Sequence, residues 1–174
     1  HSVLPFKYKN IVLLAASIIF YAWGEPVYVI LMILSIGFNY MSGLVLGELE
    51  DPHLRKRQLI FAVAVNLLLL GFFKYAGFLV SMINAILPLE FRSLALPVGI
   101  SFYTFQALSY VIDVYRKKVK PQENLLNFAV YITMFPQLVA GPIVKYSDIE
   151  LQLSNRKISR AKFGQGIERL LFGL

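Results

Sequence analysis

Long apolar runs separated by short basic stretches set the plan of this chain. The first, Ile11 to Trp23, follows Lys7 and Lys9. It superficially resembles a signal peptide, but Ala22 and Gly24 make a poor cleavage site and another apolar run follows at once. It reads as a span over 11–23, with the aromatic end Phe20-Tyr21-Ala22-Trp23 at an interface. Glu25-Pro26 turns the chain, because proline cannot continue a helix. A second span over 27–46 carries Ser35, Asn39 and Ser42 on one face. Asn39 reads as a helix-packing amide, and Gly43 with Gly47 forms a G-x-x-x-G too common by chance to specify a dimer. Glu48 to Gln58 is polar and reads as a loop. The apolar run 59–87 is too long for one untilted crossing. Lys74 interrupts it about 22 Å along, where a lysine can snorkel. A span is predicted within about 59–80, from Leu59 to about Phe73, followed by an interfacial or tilted piece from Tyr75 to Leu87.

The stretch Leu96 to Arg116 is span-like in length, about 95–114, yet polar on one side. As a helix it puts Gly99, Tyr103, Gln106, Tyr110, Asp113 and Lys117 on one face. An amide, phenols and a carboxylate are costly against lipid, so this stripe should meet protein or water. Two readings follow: a hydrogen-bonded seam between helices, or the wall of a substrate cavity. Asp113 also has Arg116 and Lys117 within reach as ion-pair partners.

Residues 125–144 are apolar again but broken by Pro136, Gly141 and Pro142. The basic residues set the orientation. The stretches 48–58 and 115–124 hold three and four, the turns 24–26 and 88–93 none and one. If 125–144 crossed fully, the six basic residues of the tail 145–174 would lie on the opposite side. A segment that dips in and returns keeps them cytoplasmic, and non-helical backbone at that depth needs protein or water around it.

Composition narrows the class. Hydrophobic residues make up 57% of the 174 and charged ones 16%, which points to an all-α, polytopic transmembrane bundle in one domain. The net charge of +7 lies in short loops, as expected beside anionic headgroups, and calls for no nucleic acid. Cysteine is absent, which excludes disulfides, thiolate metal sites and a cysteine nucleophile. No metal site is expected. The two histidines, His1 and His53, lie outside the apolar runs. The chain begins without methionine and ends on Phe172-Gly173-Leu174, and is expected to be part of a longer protein. Broken helices and polar stripes also occur in transporters and channels. That alternative is weakened because the two halves show no inverted repeat.

The run LPVGISFYTFQALSYVIDVYR, with Phe135-Pro136-Gln137-Leu138-Val139-Ala140-Gly141-Pro142-Ile143, resembles the membrane-bound O-acyltransferase family. It is similar in particular to the bacterial alginate O-acetyltransferase membrane subunits and their polysaccharide-acetylating relatives. Phe20-Tyr21-Ala22-Trp23, Phe73-Lys74-Tyr75-Ala76 and Tyr146-x-Asp148 match as well. The resemblance implies a bundle of helices around a thin centre where an acyl group crosses the inner membrane. It implies an acyl donor as substrate, acetyl-CoA or an acyl carrier, with no bound cofactor. The expected partners are the lipid bilayer and a periplasmic polysaccharide acetyltransferase. The family's histidine sits in a tryptophan- and arginine-rich motif that does not occur here, so it is expected beyond Leu174 and neither His1 nor His53 inherits its role. The 174-residue chain alone is expected to be inactive. The candidate cavity residues are Tyr103, Gln106, Tyr110, Asp113, Gln137, Gly141 and Pro142.

Overall fold

The computed structural model describes residues 6–86, 96–134, 145–149 and 164. Among them are five main helices and no strand: α1 (Phe6–Gly24), α2 (Tyr28–Glu48), α3 (Pro52–Ile86), α4 (Ile100–Tyr115) and α5 (Leu125–Thr133). The architecture is all-α, as the apolar runs predict. Local chemistry sets the helix boundaries. Asp51 caps α3 by accepting from the His53 N–H at 2.8 Å, with Pro52 in the first helical position, where its missing N–H costs nothing. The α5 start is capped by Asn124, whose side-chain oxygen accepts from the Leu126 and Asn127 N–H groups at 2.9 and 3.4 Å.

Three expectations are corrected. The polar stretch 48–58 is not a loop: α2 runs to Glu48 and α3 begins at Pro52, so most of its charge lies on the first two turns of a helix. No separate piece starts at Tyr75, because α3 continues through Lys74, whose side chain points outward and leaves the backbone unbroken. The span predicted over about 95–114 starts later, because α4 begins at Ile100 and Pro97 lies ahead of it. That proline opens a turn closed by the Ile100 N–H on the Pro97 carbonyl at 3.2 Å. Gly99 supplies the positive φ of 77° that this turn demands.

The helices alternate in direction. One end of the bundle gathers the start of α1, the end of α2, the start of α3, the end of α4 and the start of α5. There Asn10 donates to Asn127 at 2.8 Å, and the Tyr40 hydroxyl donates to the Glu123 carbonyl at 2.6 Å. At the other end the Tyr21 hydroxyl donates to the Val98 carbonyl at 3.0 Å. α4 packs on α2 and α3, while α5 packs on α1 and α2.

The distribution of side chains is the reverse of a water-soluble bundle. On α2 the buried face holds Ser35, Asn39, Ser42 and Gly43, and the exposed face holds Ile30, Ile33, Leu34 and Met41. Leu68, Phe72 and Phe78 are exposed along α3, and Trp23 is 90% exposed at the end of α1. Apolar surface this continuous would aggregate in water and suits lipid. α2 is about 31 Å long and α3 about 52 Å at 1.5 Å per residue. Both are long and apolar enough to cross a membrane, whereas the apolar part of α1, Asn10–Gly24, is shorter. α4 extends about 24 Å and lies largely enclosed by its neighbours.

Candidate functional site

α4 is the centre of the packing, and the polar stripe faces inward. Tyr103, Gln106, Tyr110 and Asp113 are all buried. Gln106 donates to the Tyr131 carbonyl at 2.8 Å, and the Tyr131 hydroxyl donates back to the Gln106 carbonyl at 3.3 Å, so α4 and α5 are joined reciprocally. The Tyr110 hydroxyl accepts from the Gln122 N–H at 2.9 Å. Asp113 forms no ion pair with Arg116 or Lys117 among the described residues. The helix ends at those positions, and both cations point outward.

Four rings form a cluster around Tyr110. Its centroid lies 4.7 Å from Phe128 and 5.1 Å from Tyr146, and Tyr131 lies 5.3 Å from Tyr146. Gln122 also donates through its side chain to the Tyr146 hydroxyl. Tyr131 and Tyr146 flank the broken stretch, so its two approaches meet at one place. Gln137, Gly141 and Pro142 lie outside the described residues. On α4 the Tyr103 and Thr104 hydroxyl oxygens are buried with no hydrogen-bond partner among those residues. Such groups cost about 1–3 kcal/mol each, and they are the chemistry a polar substrate or water would satisfy. His53 is exposed in the first turn of α3. No cluster of metal-ligating side chains occurs among the described residues.

Other residues escaped the sequence reading. Asn66 exchanges amide hydrogen bonds with Asn39 at 2.8 and 3.0 Å, joining α2 to α3. A second lone amide in an apolar run was the available signal. Gly43 and Gly47 serve contacts within the chain: a Cβ on Gly43 would lie 2.5 Å from the Tyr110 hydroxyl, and one on Gly47 would collide with Pro121. Arg55 belongs to the buried structure. Its guanidinium donates to the carbonyls of Leu46 (2.5 Å), Leu49 (3.0 Å), Val114 (3.3 Å) and Tyr115 (3.0 Å), and lies 5.8 Å from the Tyr115 ring centroid. One cation therefore covers the carboxyl ends of both α2 and α4, where helix dipoles favour positive charge.

An apolar exterior with amides, phenols and an arginine sealed inside defines a polytopic membrane helical bundle. Comparison with known proteins identifies its kind. The chain is 39% identical to "Probable alginate O-acetylase AlgI" of Pseudomonas aeruginosa over 96% of its own length and 34% of that protein. The protein of the same name from Azotobacter vinelandii is also 39% identical, over 97% and 35%. The peptidoglycan O-acetyltransferase of Helicobacter pylori is 32% identical over 83% and 32%. Over nearly its whole length the chain is similar to alginate O-acetylases, as the motifs implied, and it spans about a third of the length of these relatives. No family profile and no solved structure matches it.

Proposed function

We propose that this chain forms part of an integral-membrane O-acyltransferase of the inner membrane, passing an acyl group, acetyl in the simplest case, across the bilayer for O-acetylation of an alginate-like exopolysaccharide. The observation that carries the reading is similarity over nearly the whole chain to proteins named for O-acetylation of two different polysaccharides. Those names lend no support to a transporter or channel. Acetyl-CoA or an acyl carrier is the donor, and a periplasmic polysaccharide acetyltransferase receives the group.

Acyl transfer needs a base for a hydroxyl proton and donors for the developing oxyanion. We assign the base to a histidine outside this chain, since His53 is exposed at the end of the bundle where the basic residues gather. This chain supplies wall and support. Tyr103, Gln106, Tyr110 and Asp113 line the α4 side of the path, and the unpartnered hydroxyls of Tyr103 and Thr104 favour a polar lumen there. Gln137, Gly141 and Pro142, singled out by the motif, are the remaining residues we assign to the same path. The edge-to-face contact of Tyr131 with Tyr146 places the residues on either side of that motif next to each other.

The test uses the full-length protein in membranes with a thioester donor. Gln106→Leu and Tyr110→Phe should lower acetyl transfer per molecule by about tenfold, one hydrogen bond's worth at the transition state. Phe105→Leu, at a 44% exposed position on another face, should not. If all three variants lower protein level and leave specific activity intact, the stripe is only a packing seam.

A further inference from the structure

A cavity of about 680 Å³ at the basic end of the bundle has no part in acyl transfer as proposed. It lies between the end of α2 and the turn that follows α4. Its lining sets Val114, Val119 and Pro121 beside Lys117, Lys118 and Lys120, with Glu50 as the single carboxylate. Arg55 also lines it, but its guanidinium is held by the four carbonyls described above. Two helix carboxyl ends converge here, each equivalent to about half a negative charge. Arg55 offsets them, so the lysines decide the sign of the cavity. All three are exposed, and none forms an ion pair among the described residues.

The backbone adds an independent observation. α4 closes with the Lys118 N–H on the Asp113 carbonyl at 2.9 Å and the Lys117 N–H on the Val114 carbonyl at 3.0 Å. This paired closure puts Lys117 in the left-handed region at φ 57°, the only non-glycine residue so placed among those described. Glycine is the usual occupant of that position because a Cβ is strained there. A lysine is kept at this strained position, on the rim of a basic cavity. Held strain of this kind is a pointer to function.

We propose that this cavity binds the headgroup phosphate of an anionic membrane lipid, with the ammonium groups of Lys117, Lys118 and Lys120 donating to the phosphate oxygens and the apolar flank meeting the lipid's glycerol and upper chains. The place of the cavity selects a lipid over a soluble phosphate. α2 matches the hydrocarbon thickness, so its end lies at headgroup depth. Basic pockets between membrane helices at that depth suit acidic headgroups. The mixed lining suits an amphiphile. The site is independent of the acyl-transfer reading, because binding can be measured without turnover.

The experiment titrates the intact membrane protein in neutral detergent with dioleoyl phosphatidylglycerol and with dioleoyl phosphatidylcholine, read by native mass spectrometry. The anionic lipid should bind more than about tenfold tighter, weakening with added salt, and each of Lys117→Ala, Lys118→Ala and Lys120→Ala should lower its affinity about fivefold. Lys117→Gly separates charge from folding. It relieves the backbone, so the lipid-free protein should melt at a higher temperature while phosphatidylglycerol binding still falls about fivefold. Equal binding of the two lipids, or wild-type affinity in Lys117→Gly, overturns the proposal. Displacement of phosphatidylglycerol by an equimolar soluble phosphate, inorganic phosphate or adenosine 3′,5′-bisphosphate, overturns it too by reassigning the site.

Discussion

Replacing Arg55 by methionine keeps the length and apolar stem of the side chain but removes its five donors. Four carbonyls at the ends of α2 and α4 then lose their partner. A hydrogen bond to a charged group contributes about 1.5–3 kcal/mol. Counting one such bond for each helix end gives about 3–6 kcal/mol, and water entering from the adjoining cavity recovers part of it. The expected loss is about 3 kcal/mol, on the order of a hundredfold in the folded-to-unfolded ratio. Arg57→Met makes the same charge change on an exposed neighbour and should cost under about 0.5 kcal/mol. Arg55→Lys should recover about half the loss, because one ammonium lacks the planar fork that reaches both helices. Reversible unfolding of the intact protein in mixed micelles measures all three. Equal destabilisation by Arg55→Met and Arg57→Met, or full stability in Arg55→Lys, would refute the role of Arg55 as a common cap.

Gly43→Ala forces a Cβ against Tyr110 and should destabilise by about 1–3 kcal/mol; adding Tyr110→Leu should remove much of that penalty in a double-mutant cycle. Asn39→Leu or Asn66→Leu alone strands the other amide and should cost about 1–2 kcal/mol in the same unfolding assay, while the double replacement should be nearer wild type than either single change. With the basic end of the bundle cytoplasmic, cysteines at Arg57 and Lys118 should resist an impermeant thiol reagent added to intact cells, and one at Glu25 should react. Labelling at either basic position would invert the orientation.

The helical class was legible because apolar runs and their interruptions are properties of single segments. The inward turn of the stripe could be read for the same reason: Tyr103, Gln106, Tyr110 and Asp113 share one face of one helix. What escaped the sequence lies between segments. Arg55 looked like loop charge, since nothing local reveals that two helices end beside it. Gly43 and Gly47 carried too little local signal to specify a contact, and their partners, Tyr110 and Pro121, are far along the same chain. Polarity alone also misplaced the α2–α3 turn, because the decisive signals were Asp51 as a cap and Pro52 after it.

The bond between Asn10 and Asn127 joins residues separated by 117 positions. At synthesis rates of about 5–20 residues per second, roughly 6–23 seconds pass between the making of one partner and the other. For that interval α1 stands in the bilayer before its neighbour α5 exists. Assembly of this bundle is therefore a waiting problem. α1 must hold its place through every intervening insertion, and this contact forms only when the ribosome has passed residue 127.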